Sequence, residues 1–447
     1  MRVIILGSGG REHALAHRLS NEAVVEWVYV IPGNPGMDKT QKVSSHMIEL
    51  DFFNISKFYD EFHVDFIIAG SEAFIFSGLV DKLRQADIKV VGPTQAAGKL
   101  ESSKIFGKKF MERKRIPTAE YFIVDNFANA LKELEARKLW PGFVLKSSGP
   151  ALGKGVFVTS TIEEAKKILD ELLKKPISGM EDGLLIEKKK SGRECSLFYA
   201  CLNESYHFLG GACDYKRFGD GDVGPNTGGM GAYSPVTWLS EKIKKRIELE
   251  VLRPTLKEMK EERTPFQGIL FLGLMIEENA NESNGAENIT LLEYNVRLGD
   301  PEAQVILSLL KGKVAELFCA MANFDEETFT KLTLEQFPYH AVHVVKVAKG
   351  YPGIFGETVE NNQIIIDGIS AEEKKRDDIF CFFSGVREVL GDGLEKNVLV
   401  TNGGRVLGLT ALGPNRTLAR NQVYEKLPQI HFAGEYYRSD IALDLNS

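Results

Sequence analysis

The sequence predicts a multidomain protein of α/β and α+β type: an N-terminal open parallel α/β domain, a central region built on a second set of strands, and a small C-terminal α+β domain. Three patterns predict it. Over the first hundred residues, short apolar runs alternate with helical or irregular pieces, and the runs end in loops bearing glycine or proline. In the middle, strand-like segments end in lysines or acids and are joined by glycine-rich loops. Beyond Met321 the chain turns to short strands with turn signals and one helix, Leu418 to Leu427.

A chain of 447 residues has room for about two to four domains. Its 43% hydrophobic content is that of an ordinary globular protein. A net charge of -7 gives no general affinity for nucleic acid or an anionic membrane, so any phosphate site must be local. The five cysteines show no Cys-x-x-Cys spacing, which points to reduced thiols in a cytoplasmic protein rather than to a disulfide framework or a zinc site. No run reaches membrane-spanning length, and the apolar start, Val3 to Leu6, is too short for a signal sequence.

The first element is a strand, Val3 to Leu6, followed by the turn Gly7-Ser8-Gly9-Gly10 and a helix from Arg11 to Leu19. Glycines at such a junction let backbone N–H groups and the helix N-terminus face an anion. Glu12 stands where a dinucleotide fold wants glycine, so the turn reads as a site for a single phosphate, assisted by Arg11, or as a tight turn with no ligand. Further strands follow at Val24 to Ile31, Val64 to Ala69 and Ile88 to Val91. Ligands of open parallel sheets sit at the strands' carboxyl ends, which makes Glu72, just past the third strand, a candidate substrate contact.

A lysine-rich helix is expected from Lys99 to Lys114, then a strand at Tyr121 to Val124, a helix at Ala128 to Ala136 and a strand at Phe143 to Lys146. The loop from Ser147 to Val156 carries Gly149, Gly153 and Gly155 around Lys154. A strand ending in lysine, a glycine-rich loop and a second lysine make a lid that could close over a triphosphate, and a glycine-rich hairpin turn explains the same residues. The next strand, Gly183 to Ile186, is followed by Glu187 and, seven residues on, Glu194, acids placed to serve the adenine edge and ribose hydroxyls of a nucleotide; a solvated turn is the other reading. Asp214-Tyr215-Lys216-Arg217 then leads into Gly219 to Gly231, whose glycines are costly to order unless backbone must approach something closely. We read it as a substrate loop.

The central stretch is Leu291 to Glu302. An apolar strand end places Glu293, Asn295 and Arg297 at alternate positions, so that all three face one way in extended chain. A carboxylate and a carbonyl oxygen suit Mg2+, which keeps waters and borrows phosphate oxygens, and a neighbouring arginine would grip a phosphoryl group or carboxylate. A solvated strand edge would give the same alternation. The break at Gly299-Asp300-Pro301-Glu302, with Pro301 opening an apolar helix to Leu310, favours a site. His13 and His17 lie on one helix face, expected to be partly exposed, and His340 and His343 are expected on opposite faces of a strand.

Taken together, these motifs resemble the ATP-grasp superfamily and, within it, the phosphoribosylamine-glycine ligase (glycinamide ribonucleotide synthetase) family. The resemblance rests on Gly9-Gly10-Arg11-Glu12-His13-Ala14, on Gly224 to Tyr233 with Ser234-Pro235, and on Arg297 with Gly299-Asp300-Pro301-Glu302. It extends to Gly350-Tyr351-Pro352-Gly353 and Thr401 to Val406, covering the chain from about Val3 to Gly413.

The resemblance implies three units, residues 1–102 for the sugar phosphate, 103–322 as the ATP-grasp domain with a lid at about 120–192, and 323–447 as the C-terminal α+β domain. It implies ATP, glycine and 5-phosphoribosylamine as substrates, Mg2+ or Mn2+ as cofactor, no nucleic-acid or membrane partner, and a monomer or weak homodimer. ATP would phosphorylate the glycine carboxylate, and the amine of phosphoribosylamine would displace phosphate. ATP-site positions would be Lys104, Lys146, Lys154, Glu187 and Glu194. Glu293 and Asn295 would hold the metal, with Arg297, Lys146 and Asp214 catalytic. Gly9, Gly10, Arg11, Glu12 and Glu72 would take the sugar phosphate side. Lys216, Arg217, Asn226, Thr227, Gly228 and Gly229 would surround the amine and glycine, with Asp300, Pro301 and Glu302 beside them. Two alternatives stand beside this reading: another ATP-grasp carboxylate-amine ligase, and a nucleotide-binding regulatory protein with an inactive lid.

The sequence departs from the family in four places. The family's lid runs Lys-Ala-Asp-Gly-Leu-Ala-x-Gly-Lys-Gly; here Ser147-Ser148 replace Ala-Asp and Pro150 replaces Leu, which leaves Lys146 without the expected acid. Lys188-Lys189-Lys190 replace an acid and apolar residues at the hinge, making a less apolar adenine pocket. Tyr215 stands where histidine is common, and Asn279 to Asn288 lengthens a hairpin loop.

Overall fold

The N-terminal apolar runs fold as a parallel sheet of five strands: β1 (Arg2–Gly7), β2 (Trp27–Pro32), β3 (Val43–Ser45), β4 (Phe66–Ala69) and β5 (Val90–Val91), in the order β3-β2-β1-β4-β5. β1 lies at the centre with Val3 to Leu6 fully buried, as a strand covered on both faces must. The strand order reverses between β1 and β4. The turn after β1, which leads into α1 (Gly10–Ser20), and the turn after β4 therefore open into one crevice, and Arg11 and Glu72 meet there. The computed structural model describes residues 1–124, 126–150, 155–277, 288–353, 364–368, 378–390 and 397–443. Lys154 of the lid loop and most of the 279–288 insert lie outside them.

The helix expected from Lys99 to Lys114 is two helices, Lys99–Ser102 and Lys104–Arg113. The break falls at Ser103, which is extended (φ -132°, ψ 104°) and whose hydroxyl accepts the Phe106 N–H at 3.2 Å. A serine cap outcompetes helix continuation, and it sets Lys104 and Lys108 on successive turns of one face.

Four antiparallel strands, Tyr121–Val124, Leu184–Lys188, Phe143–Ser147 and Val156–Thr159, form the lid sheet. The helices Phe127–Ala136 and Ile162–Lys174 accompany it, and the unit has its own core around Phe122, Leu134, Phe143, Leu145, Leu169 and Ile186. The second helix starts with a capping box between Thr161 and Glu164.

Three C-terminal strands join the central sheet, while Val386–Leu390 and Asn397–Thr401 pair with each other as a separate two-stranded sheet. Asn288–Asn295, Gln267–Glu277, Arg193–Leu202, Ser205–Asp214 and Gly231–Ser234 continue through His340–Val347, Arg405–Gly413 and Ile379–Phe383 as one eight-stranded antiparallel sheet. The C-terminal strands thus extend the central sheet by the pairing of Gly231–Ser234 with His340–Val347. Across this sheet lies the apolar helix Glu302–Leu309, buried between it and α1.

Candidate active site

Charged side chains gather where the lid, the central sheet and the β1/β4 crevice meet, in three connected groups. The first is cationic. In the lid sheet Val144 pairs with Glu187, so Lys146 and Glu187 project from the same face of adjacent strands. Lys146 Nζ lies 2.9 Å from Glu187 Oε1 and Lys108 Nζ lies 3.2 Å from Oε2, all with side chains at most 7% exposed. The sequence left Lys146 without a partner; the structure supplies Glu187. Ser148, in the place of the family's acid, accepts the Ile105 N–H at 3.2 Å and so caps the Lys104–Arg113 helix. Burial pulls the Lys108 ammonium down to about 8 against the opposing pull of Glu187. The hinge lysines turn elsewhere: Lys188 pairs with Glu120, Lys190 with Glu277, and Lys189 donates to Ser160.

The second group is the end of the Asn288–Asn295 strand. Glu293 lies across from Gly273 and Asn295 across from Phe271. Burial works against ionisation of Glu293, but Lys216, Lys146, Lys104 and Arg297 outweigh it and hold the carboxyl below its ordinary range. Glu293 and Asn295 offer a carboxylate and an amide oxygen, hard donors that fit Mg2+ with phosphate completing the shell. Arg297 is already engaged. Its guanidinium lies 2.8 Å from Glu101 and 3.2 Å from Glu72, and donates to Asn295 Oδ1 at 3.2 Å.

That bridge leads into the crevice. Glu72 is raised by burial yet held down at about 2 by Arg297 and Arg11. Arg11 is buried, with its Nε 2.7 Å from Glu12 and Nη1 donating to the Leu298 carbonyl at 2.9 Å. The two glycine amides expected to face a phosphate have partners from the chain itself. Gly9 N–H donates to Glu12 Oε2 at 2.8 Å and Gly10 N–H to Ser384 Oγ at 3.0 Å. His13 is buried rather than partly exposed: its Nδ1 accepts the Phe383 N–H at 3.0 Å.

In the third group Lys216 bonds Glu194 and lies 4.0 Å from Asp214. Burial pushes the Asp214 carboxyl up to about 8, Lys216 opposing and Glu302 and Glu194 assisting. Glu302 is likewise raised by burial and accepts from Ser196 at 3.4 Å.

The glycine-rich loop begins as the hairpin Arg217–Gly219 with Val223–Asn226. Arg217 donates to the Gly224 carbonyl at 2.8 Å, so its guanidinium serves the hairpin. Asn226 donates to the Val156 carbonyl at 3.2 Å and so touches the lid. Thr227 ties back to the Lys216 carbonyl, and Gly229, at φ +110°, lies so close to Pro301 that a Cβ would sit 2.3 Å from the proline ring. Only glycine serves there.

The sequence reading gave no role to Lys108, Glu101, Tyr351, Ser384 or Arg405. Tyr351 Oη accepts the Gly228 N–H at 2.9 Å, and Arg405 donates to the Gly228 carbonyl and to Asp300. Both sit in motifs, Gly350 to Gly353 and Thr401 to Val406, that mark the family resemblance, so a signal was present. Lys108 lies one helical turn beyond Lys104 and Glu101 on the short helix before it, and neither carried a distinguishing pattern.

Comparison with known proteins matches residues 1–101 to the N domain, 102–303 to the ATP-grasp (A) domain and 341–444 to the C domain of phosphoribosylglycinamide synthetase. The chain is 35% identical over 443 residues to a phosphoribosylamine–glycine ligase from Caldanaerobacter subterraneus, covering 99% of each. It superposes with a TM-score of 0.79 on the crystal structure of the phosphoribosylamine–glycine ligase from Thermotoga maritima, at 32% identity, covering 99% of this chain and 100% of that one. A biotin carboxylase from Campylobacter jejuni shares the fold at 14% identity, with a TM-score of 0.66, over 97% of this chain and 92% of its own.

Proposed function

The chain belongs to the phosphoribosylglycinamide synthetase family of ATP-dependent ligases that form a C–N bond, and from that premise we propose how its residues divide the work. The γ-phosphoryl of ATP passes to the glycine carboxylate. The amine of 5-phosphoribosylamine then attacks the acyl carbon of glycyl phosphate and expels phosphate. An amide, ADP and phosphate result, in the route that builds purines.

Such transfers need positioning and neutralisation of charge more than a nucleophilic side chain. One observation carries the assignment: Lys104, Lys146, Lys216 and Arg297 all act on the half-buried carboxylate of Glu293. A field that keeps Glu293 ionised against its burial would act the same way on the phosphates of ATP. Glu293 and Asn295 would hold the divalent ion, Mg2+ or Mn2+, which when bound with ATP would neutralise phosphate charge.

Lys146 is oriented by Glu187 and Lys104 by the Ser103 cap, so both approach the phosphates from fixed positions. Arg297, steadied by Glu101 and Glu72, faces the phosphoryl group or the glycine carboxylate. Asp214, whose proton affinity is raised to about 8, accepts the proton released by the attacking amine, a match that general-base transfer favours near working pH. The Thr227 to Gly229 backbone, held by Tyr351 and Arg405, walls the amine and glycine side. We place the protein in the cytoplasm as a monomer or weak homodimer. Among the described residues no helix is long and apolar enough to cross a membrane.

The test is ADP release from Mg-ATP by the purified chain, with and without glycine and freshly made phosphoribosylamine. Release that requires both, with a glycinamide ribonucleotide product, is expected. ATP binding without substrate-dependent release would leave a nucleotide-binding protein and overturn the assignment.

A further inference from the structure

We infer that the C-terminal segment 431–443 is a strap that positions the substrate hairpin, with Arg438 as its positioning residue; this rests on reading residues 214–229 as the amine and glycine side of the site. The hairpin Arg217–Gly219 with Val223–Asn226 stands outside the eight-stranded sheet as a two-stranded ribbon, and residues 220–225 are exposed. A lone two-stranded ribbon is marginal in water. Its order must come from what it touches.

Most of that contact comes from the strap. Arg438 Nη1 donates to the Arg217 carbonyl at 3.0 Å and to Asp222 Oδ1 at 2.7 Å, while its Nη2 reaches Asp440 at 2.7 Å. Ser439 N–H donates to Asp220 at 2.8 Å, and Gly221 N–H donates back to Asp440 at 2.8 Å. Tyr436 stacks on Phe218 with ring centroids 4.6 Å apart. Arg438 is 1% exposed, a depth at which an arginine is kept only for a defined set of acceptors.

The strap is itself anchored. Tyr436 exchanges both backbone hydrogen bonds with Val347 of the main sheet, and Tyr424 of the Arg416–Lys426 helix donates to the Arg438 carbonyl at 2.7 Å. At the root of the hairpin Tyr215 completes the tie: its hydroxyl accepts the Ala442 N–H at 2.9 Å, and the Arg438 guanidinium lies 4.9 Å from its ring centroid. Tyr215 is one of this chain's departures from the family pattern, and here it has a partner that explains it. Its neighbours Asp214 and Lys216 lie 4.0 Å apart, and the other strand of the ribbon carries Asn226 to the lid. A hairpin fixed by the strap therefore fixes Lys216 and the place where the lid rests.

The experiment compares the full chain with Arg438→Lys, Asp220→Ala and Tyr215→Phe. It measures KM for ATP, glycine and phosphoribosylamine, kcat, the melting temperature, and the rate of tryptic cleavage at Lys216 and Arg217. The expected result is a roughly three- to ten-fold rise in KM for glycine or phosphoribosylamine per lost contact, a smaller rise in KM for ATP through Lys216 and the lid contact, and faster cleavage in the hairpin. Variants that melt with the wild type and keep both its KM values and its cleavage rate overturn the proposal. If Arg438→Lys fails to fold, the two peripheral variants decide alone. Should the wild type lack glycine-dependent turnover, the functional reading fails, while cleavage still reports on the strap.

Discussion

The lysine cluster at Lys146, Glu187 and Glu293 and the glycine turn at Gly9-Gly10 both read in sequence as phosphate sites, yet the structure equips them differently. Around Glu293 four cations together hold a carboxyl ionised against its burial. At the turn, Glu12 and Ser384 already take the amides that an anion would need. A glycine-rich strand-to-helix turn is thus not an anion site by virtue of its backbone; what decides is whether side chains from elsewhere have claimed its donors. The first region holds a carboxyl below its ordinary range, and the donors of the second tie α1 to its own first turn and to the C-terminal strands.

The sharpest way to break this contrast is at Glu293. Glu293→Ala removes a metal ligand and the counter-charge for three lysines, and turnover should fall by roughly 10²–10³-fold or more, measured as ADP release with both substrates. Unchanged turnover would sink the metal assignment. On the other side, Glu12→Gln should act on stability first. It puts a neutral amide against the Arg11 guanidinium, whose Nε now lies 2.7 Å from the carboxylate in a buried setting. With Glu72 still 3.6 Å from Arg11, the loss should be about 1–3 kcal/mol, read as a lowered unfolding midpoint with KM for ATP unaltered.

The seam between α1 and the C-terminal strands also has a pH signature. Burial lowers His13 and His343 to about 3, so each is neutral when folded. Unfolding releases them to an ordinary value near 6.5, the unfolded state binds the extra protons, and stability is lost as pH falls from 6.5 towards 3. Asp214, raised to about 8, works in the opposite direction between 4 and 8, so the comparison must be with a variant. His13→Asn can still accept the Phe383 N–H; its stability should fall less steeply between pH 6 and 4, by up to about 1.4 kcal/mol per pH unit. Parallel slopes would show that His13 is not neutral in the fold.

Much of this was legible beforehand. Strand alternation places Glu293 and Asn295, the carboxyl ends of the parallel strands mark Glu72, and the glycines from 219 to 231 mark a loop whose backbone approaches something closely, which the structure shows to be Pro301. What was not legible depends on distance in the chain. Glu187 was read as an adenine contact because its hairpin context gave no sign of the two lysines, 41 and 79 residues earlier in the numbering, that claim it. Ser103 looked like part of a helix, since its break follows from a cap that competes with an otherwise good helical pattern. His13 looked half-exposed because amphipathic spacing shows which face is buried only once the covering strand, Ile379–Phe383, is known.

The smallest expected effect is also the one that most directly tests the contrast. Ser384→Ala deletes the hydroxyl that accepts the Gly10 N–H and leaves everything else in place. If the turn is structural, the loss is one hydrogen bond, about 0.5–1.5 kcal/mol, with KM for phosphoribosylamine unchanged. If the turn does take the sugar phosphate, Ser384 is a competitor that substrate must displace; freeing the amide should then lower that KM while stability falls. The two readings move the same parameter differently, so one pair of measurements, a melting curve and a substrate titration, separates a turn that holds the fold from a turn that waits for an anion.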